Sequence, residues 1–150
     1  MTEVFNIQSD VANIPLVEER LAHFCSDNNV GNYYSAVSVA TVQALKNAIV
    51  HGCGQDNSQS VSVAFGNCHG GIYVEVTDSG AGFNYDAFGD LPTDGSKGTG
   101  IFIMKSLADR ITYSEGGRKV RMEFDVAGID PADALERIAV LKEHFSLVAA

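Results

Sequence analysis

From Val4 to Ile7 apolar and polar residues alternate, the period of a strand with one buried face. Ile14, Val17, Leu21 and Phe24 then recur at helical spacing, predicting a helix that Ser9 or Asp10 caps and that Pro15 enters in its first turn. Asn28, Asn29 and Gly31 mark a break between Cys25 and Tyr33. From Tyr34 to His51 the chain lacks Gly and Pro, and Val39, Val42, Leu45, Ala48 and Ile49 supply one apolar face. This predicts a long helix stopped by Gly52 and Gly54, with turn material at Cys53–Ser58. Val61–Phe65 and Ile72–Val76 alternate with period two around Gly66, Asn67, Gly70 and Gly71, predicting a hairpin with a loop longer than two residues.

Twenty residues from Asp78 to Lys97 carry Gly, Asp, Pro, Ser and Thr with little period, the mark of a functional or mobile loop. A helix follows at Thr99–Asp109, with Ile101, Ile103, Met104 and Leu107 apolar. Two closing strands, Ile111–Tyr113 and Val120–Val126, flank a turn at Glu115, Gly116 and Gly117. Asp130 and Pro131 open a last helix with Leu135, Ile138, Leu141, His144 and Phe145 at spacings of three and four. Hairpins interspersed with helices predict an α+β, two-layer fold: a mixed, mostly antiparallel sheet with helices on one face. The expected organisation is one domain over residues 1–128, with residues 129–150 forming an amphipathic helix packed on it.

Composition narrows the classes. The 150 residues suit one core, and 45% hydrophobic content is that of a globular chain. Ten basic against nineteen acidic residues leave a net charge of −9 without a basic patch, which argues against nucleic-acid binding. Cys25, Cys53 and Cys68 are odd in number and form no C-x-x-C pair, so free thiols in a reducing compartment are expected. With no signal-peptide pattern at Met1–Asp10 and no long apolar run, the expectation is a cytoplasmic protein that does not enter a membrane.

Three places concentrate chemistry. Gln43, Asn47 and His51 stand four apart on one helix face, an odd choice where a solvent face would favour Lys and Glu, although a solvated polar face remains the plain alternative. Asp78-Ser79-Gly80-Ala81-Gly82 follows a strand end: Gly80 and Gly82 let a flat ligand approach closely, and the Asp78 carboxylate can accept from an exocyclic amine. A tight turn closed by the same aspartate is the plain alternative. Gly95-Ser96-Lys97-Gly98-Thr99-Gly100 leads into a helix, where backbone N–H groups and the helix dipole favour an anion and Lys97 adds a charge. Its spacing is not that of a P-loop, and a flexible loop explains it equally.

Taken together, NAIVHG, VTDSGAGF and GTGIFIMKSLAD resemble the motifs of the ATP-binding domain shared by DNA gyrase, heat-shock chaperones, sensor histidine kinases and mismatch-repair ATPases. Within that group the chain is most similar to the small, free-standing bacterial anti-sigma-factor serine kinases, over roughly residues 4 to 126. The resemblance implies a histidine-kinase-like ATPase fold and ATP with Mg²⁺ as ligands. It implies that Asn47 ligates Mg²⁺ on the phosphates, that Asp78 binds the adenine amine beside Gly80 and Gly82, and that Gly98, Thr99 and Gly100 wrap the phosphates. Residues 83–97 would form the lid. It further implies a homodimer that phosphorylates a serine on an antagonist protein and sequesters a sigma factor.

The chain departs from that pattern at the position of the general base, where Gln43 replaces glutamate four residues before the metal-binding Asn. An amide cannot take up the proton of an attacking hydroxyl, although it can orient one. The alternative is therefore a nucleotide-responsive, protein-binding module with impaired catalysis. Gly117-Arg118-Lys119 is a second departure, standing where relatives often carry Gly-Thr. His51, Cys53, Cys68 and His69 are conceivable zinc ligands, but their spacing matches no standard finger. Nor is there an identifiable third residue to orient a Cys–His nucleophile.

Overall fold

The computed structural model describes residues 2–52, 58–68, 70–79 and 97–126, together with position 139. In chain order these form β1 (Thr2–Gln8), α1 (Ile14–Asp27), α2 (Tyr34–Lys46), a π-helical turn (Asn47–Gly52), β2 (Ser60–Cys68), β3 (Gly71–Asp78), α3 (Lys97–Leu107), β4 (Arg110–Ser114) and β5 (Lys119–Asp125). The strands make one five-stranded sheet in the order β1-β2-β3-β5-β4. Every pairing is antiparallel, so the mixed sheet expected from the sequence is purely antiparallel among the described residues. The fold is α+β in two layers.

Period-two patterning decides which face the helices cover. Val61, Val63 and Phe65 of β2, Ile72, Val74 and Val76 of β3, and Val120, Met122 and Phe124 of β5 are all buried. They pack with Val17, Leu21 and Phe24 of α1 and with Val37, Ala40 and Leu45 of α2 in a single core. The alternate positions form a charged outer face. There Glu75 pairs with Arg121 at 2.7 Å and with Lys119 at 3.3 Å, and Arg110 pairs with Asp125 and Glu123. The Arg121 guanidinium also lies 3.9 Å from the centre of the Tyr73 ring.

Helix α1 begins as expected, with the Asp10 carboxylate accepting from the Ala12 N–H in the preceding turn and Pro15 in its first turn. It runs two residues past Cys25 because its end is a Schellman cap: the Val30 N–H donates to the Cys25 carbonyl at 2.8 Å and Asn29 takes a φ of 59°. The predicted single helix to His51 instead changes register at Asn47 into the π-helical turn. The hairpin is tighter than its glycines implied, since Cys68 pairs with Gly71 and only residues 69 and 70 connect the strands. Gly66 and Gly71 lie within strands because a Cβ would strike the Tyr73 ring at the first and the Phe124 carbonyl at the second. The turn before β5 has positive φ at Glu115, Gly116 and Gly117, in accord with its predicted position.

Helix α3 starts at Lys97, two residues earlier than the spacing predicted. The loop at 80–96 and the helix expected after Asp130 lie outside the described residues, apart from position 139. No helix among the described residues is long and apolar enough to cross a membrane.

Candidate functional site

Where α2, the π-helical turn and α3 meet the ends of β3 and β5, they leave a small cleft. Small side chains make room for it: Ala44 and Ala48, four apart on consecutive turns, form part of its wall. Asn47, Asp78, Met104, Tyr113 and Arg118 line the remainder.

Asn47 opens the π-helical turn, and its backbone N–H is shared between the carbonyls of Gln43 and Ala44. Its side chain is 9% exposed, and Nδ2 donates to Met104 Sδ at 3.7 Å. Gln43 stands one turn earlier and is half-buried. Across the gap lies Gly100 of α3. A Cβ at that position would sit 3.1 Å from Gln43 Oε1 and 3.6 Å from Asn47 Oδ1. The polar stripe of α2 and the glycine run at 98–100, far apart in sequence, are thus adjacent in space.

Asp78 is the fourth inward position of β3, after Ile72, Val74 and Val76. At 5% exposure it puts a carboxylate where the alternation would put another apolar residue. Its backbone N–H donates to the Arg118 carbonyl at 2.9 Å, holding the strand end against the turn before β5. Ser79, directly after it, donates to the Ser60 carbonyl at 3.2 Å, tying the chain to β2 before it leaves the sheet.

Lys97, Gly98, Thr99 and Gly100 are the first four residues of α3, rather than a loop leading into it. Those are the four positions whose N–H groups have no acceptor within a helix, so they supply backbone donors at the positive end of the helix dipole. Gly80 and Gly82 lie outside the described residues, as do Cys53 and His69 of the conceivable zinc set.

The cleft therefore offers a buried carboxylate at one wall and the Asn47 amide at another, with Gln43 and the N-terminal turn of α3 next to Asn47. Such a set suits a flat, amine-bearing ligand with an anionic end. Of the residues singled out in the sequence, Asn47 and Asp78 line this cleft, and Gln43 and Gly100 stand beside Asn47 outside its lining. Sequence reasoning read Met104 only as core, because the apolar spacing of α3 accounts for that residue completely. A usable signal was present: Met104 stands four residues after Gly100 and hence on the same face.

A family model described as the histidine kinase-like ATPase domain matches residues 7–124. No curated protein matches the chain.

Proposed function

The chain belongs to the histidine kinase-like ATPase domain family, and on that premise we propose that it is an ATP-binding regulator of the anti-sigma-factor type. In this reading it is a serine/threonine protein kinase acting on an antagonist protein in a partner switch. The observation that carries the reading is the apposition of Gly100 to Gln43 and Asn47. It supports a nucleotide whose phosphates meet the N-terminal turn of α3 beside Asn47, because the glycine lets that turn pack directly against the polar stripe of α2.

The residues present fit the ligand. Asp78 accepts from the exocyclic amine of adenine, with Val76 and Ala48 forming apolar wall near the base. The N–H groups of the first turn of α3 bind phosphate oxygens, and Lys97 adds its charge. Asn47 offers Oδ1 as a hard oxygen ligand to Mg²⁺. Bound nucleotide supplies a transferable γ-phosphate. In transfer, Gln43 would orient the attacking serine hydroxyl; the Oγ–Pγ bond would form as the bond from Pγ to the ADP oxygen breaks, and the hydroxyl proton would pass to a phosphate oxygen rather than to the amide.

Gln43 favours a second reading, in which the domain binds ATP and changes its affinity for a partner without efficient phosphotransfer. A sigma factor, an antagonist and a second copy of the chain are the proposed partners in either reading. Sedimentation gives twice the 16.0 kDa chain mass if the dimer forms.

Titration calorimetry with ATP and ADP, with and without Mg²⁺, tests the binding shared by both readings. Mg²⁺-dependent ATP binding is the expected result. Folded protein that binds neither nucleotide overturns both readings and leaves a scaffold that docks partners unaided.

A further inference from the structure

Asn47 can serve a cation only if its amide is turned the right way, because Oδ1 is a ligand and Nδ2 is not. An Asn side chain in a roomy, wet site samples both orientations. Here the amide is buried, and the group beside it is the thioether of Met104, itself 1% exposed. A thioether sulfur accepts a hydrogen bond weakly and has no proton to give. It is satisfied by the NH₂ end of the amide and meets only lone pairs from the oxygen end. The 3.7 Å contact from Nδ2 to Sδ is the favourable arrangement. Both amide atoms lie beside Gly100, Oδ1 at 3.6 Å and Nδ2 at 3.8 Å from the Cβ position there, so the contact with Sδ is what distinguishes them.

Resting on the ATP-binding reading above, we propose that Met104 is a positioning residue that fixes the orientation of the Asn47 amide by engaging Nδ2, leaving Oδ1 as the atom that serves the cation. Two features of the chain make this possible. Gly100 and Met104 stand four apart on α3, so the residue packed against Gln43 and Asn47 and the residue that orients the metal ligand occupy one face. Met104 is also unbranched, reaching the amide from a helix whose other apolar positions are Ile101, Phe102, Ile103 and Leu107. Leucine would fill nearly the same volume and offer no acceptor. The selection between N and O would then be lost without a cavity. Outer groups that orient a metal ligand in this manner typically alter metal affinity by about 10- to 100-fold when removed. Because sulfur is a weak acceptor, the lower end of that range applies.

The test uses the whole chain and four proteins: wild type, Met104→Leu, Met122→Leu and Asn47→Ala. Met122 is a fully buried methionine of β5 that does not line the cleft, so its leucine variant controls for the loss of a core methionine. Calorimetry measures ATP affinity in EDTA and in Mg²⁺, and the ratio of the two reports the metal. Met104→Leu is expected to lower that ratio by about tenfold, with metal-free ATP affinity unchanged and Met122→Leu like wild type. In nucleotide-free protein, the Asn47 side-chain NH₂ signal in a ¹⁵N spectrum should shift and exchange faster with water in Met104→Leu alone.

An unchanged ratio in Met104→Leu, alongside a lost one in Asn47→Ala, overturns the positioning role and leaves Asn47 as the metal ligand. If Asn47→Ala itself keeps the ratio, the assignment of the metal to Asn47 fails, and the inference fails with it. Equal losses in both leucine variants, or loss of ATP binding in EDTA by Met104→Leu, assign the effect to packing and also overturn it.

Discussion

Gly100 of α3 stands so close to Gln43 of α2 that a Cβ on the glycine would lie 3.1 Å from the amide oxygen. Two effects compete in Gly100→Ala. Alanine favours an α-helix over glycine by up to about 1 kcal/mol, while the added methyl forces Gln43 to give way by a few tenths of an ångström. Gln43 is a long side chain, half-buried, and can move. The expected outcome is a stability within about 1 kcal/mol of wild type by thermal melting, with ATP affinity down by about tenfold or more, because the methyl pushes Gln43 and the N-terminal turn of α3 apart beside Asn47. A melting point lowered by many degrees with affinity intact would place the glycine in packing alone.

Gln43→Glu restores a carboxylate at the position of the general base. A base typically contributes about 10²- to 10⁴-fold to a proton-coupled step. If Gln43 limits phosphotransfer, radiolabel incorporation into a serine-bearing partner should rise within that range while ATP affinity changes little. Equal rates for wild type and variant would mean that positioning alone sets the rate and that the amide suffices.

The order of elements and the inward faces of the strands were readable because they rest on a period. The pattern Ile72, Val74, Val76 assigns a face without any tertiary information, and Asp78 inherits it. Elements set by close contact were not readable. Gly66 and Gly71 look like loop residues in one dimension, and only the Tyr73 ring and the Phe124 carbonyl explain them as strand residues. The shift from α to π geometry at Asn47 carries no local composition signal, since Lys46, Asn47 and Ala48 are ordinary helix residues. The Asn28-Asn29 break was legible as an end, but its capping bonds decided where α1 stops. Gln43, Asn47 and Asp78 were recognisable as candidates because polar residues there broke an apolar expectation. Met104 broke none.

The two strand glycines should differ in cost. At Gly71 a Cβ runs into the Phe124 carbonyl of the paired strand β5, and relief requires the β3–β5 backbone to separate. The obstacle at Gly66 is the far end of the Tyr73 side chain, which can rotate. Gly71→Ala is expected to lose about 3 kcal/mol and Gly66→Ala about 1 kcal/mol in urea unfolding. The reverse order would show that Tyr73, pinned beneath Arg121, is the more rigid of the two.

The outer sheet face carries an acid-sensitive contribution. Partial burial disfavours the Glu75 carboxylate, but hydrogen bonds and charge from Arg121 and Lys119 outweigh it and hold the group below its ordinary value. A depressed folded value means that the stabilisation is complete above the unfolded value of about 4.5 and is lost as pH falls through the lower folded one. Glu75→Gln should therefore cost about 1 kcal/mol at pH 7 and progressively less as the pH falls below the unfolded value. Denaturant titrations at about pH 7 and about pH 3 measure the difference. A cost equal at both would assign it to shape rather than charge.

Cys25 offers a probe of global opening. Its side chain is fully buried between α1 and the sheet, and burial pushes the thiol up to about 11. The reactive species is the thiolate, which at pH 8 is then only about a thousandth of the population at this site. Solvent-borne reagent also has no access to it in the folded state. Alkylation of the native protein with iodoacetamide, followed by peptide mapping, should leave Cys25 unmodified while half-exposed Cys68 reacts. Labelling of Cys25 should follow the unfolding rate, accelerating with urea in step with the loss of structure. Prompt modification in the absence of denaturant would mean that α1 opens locally from the sheet, independently of the rest of the core.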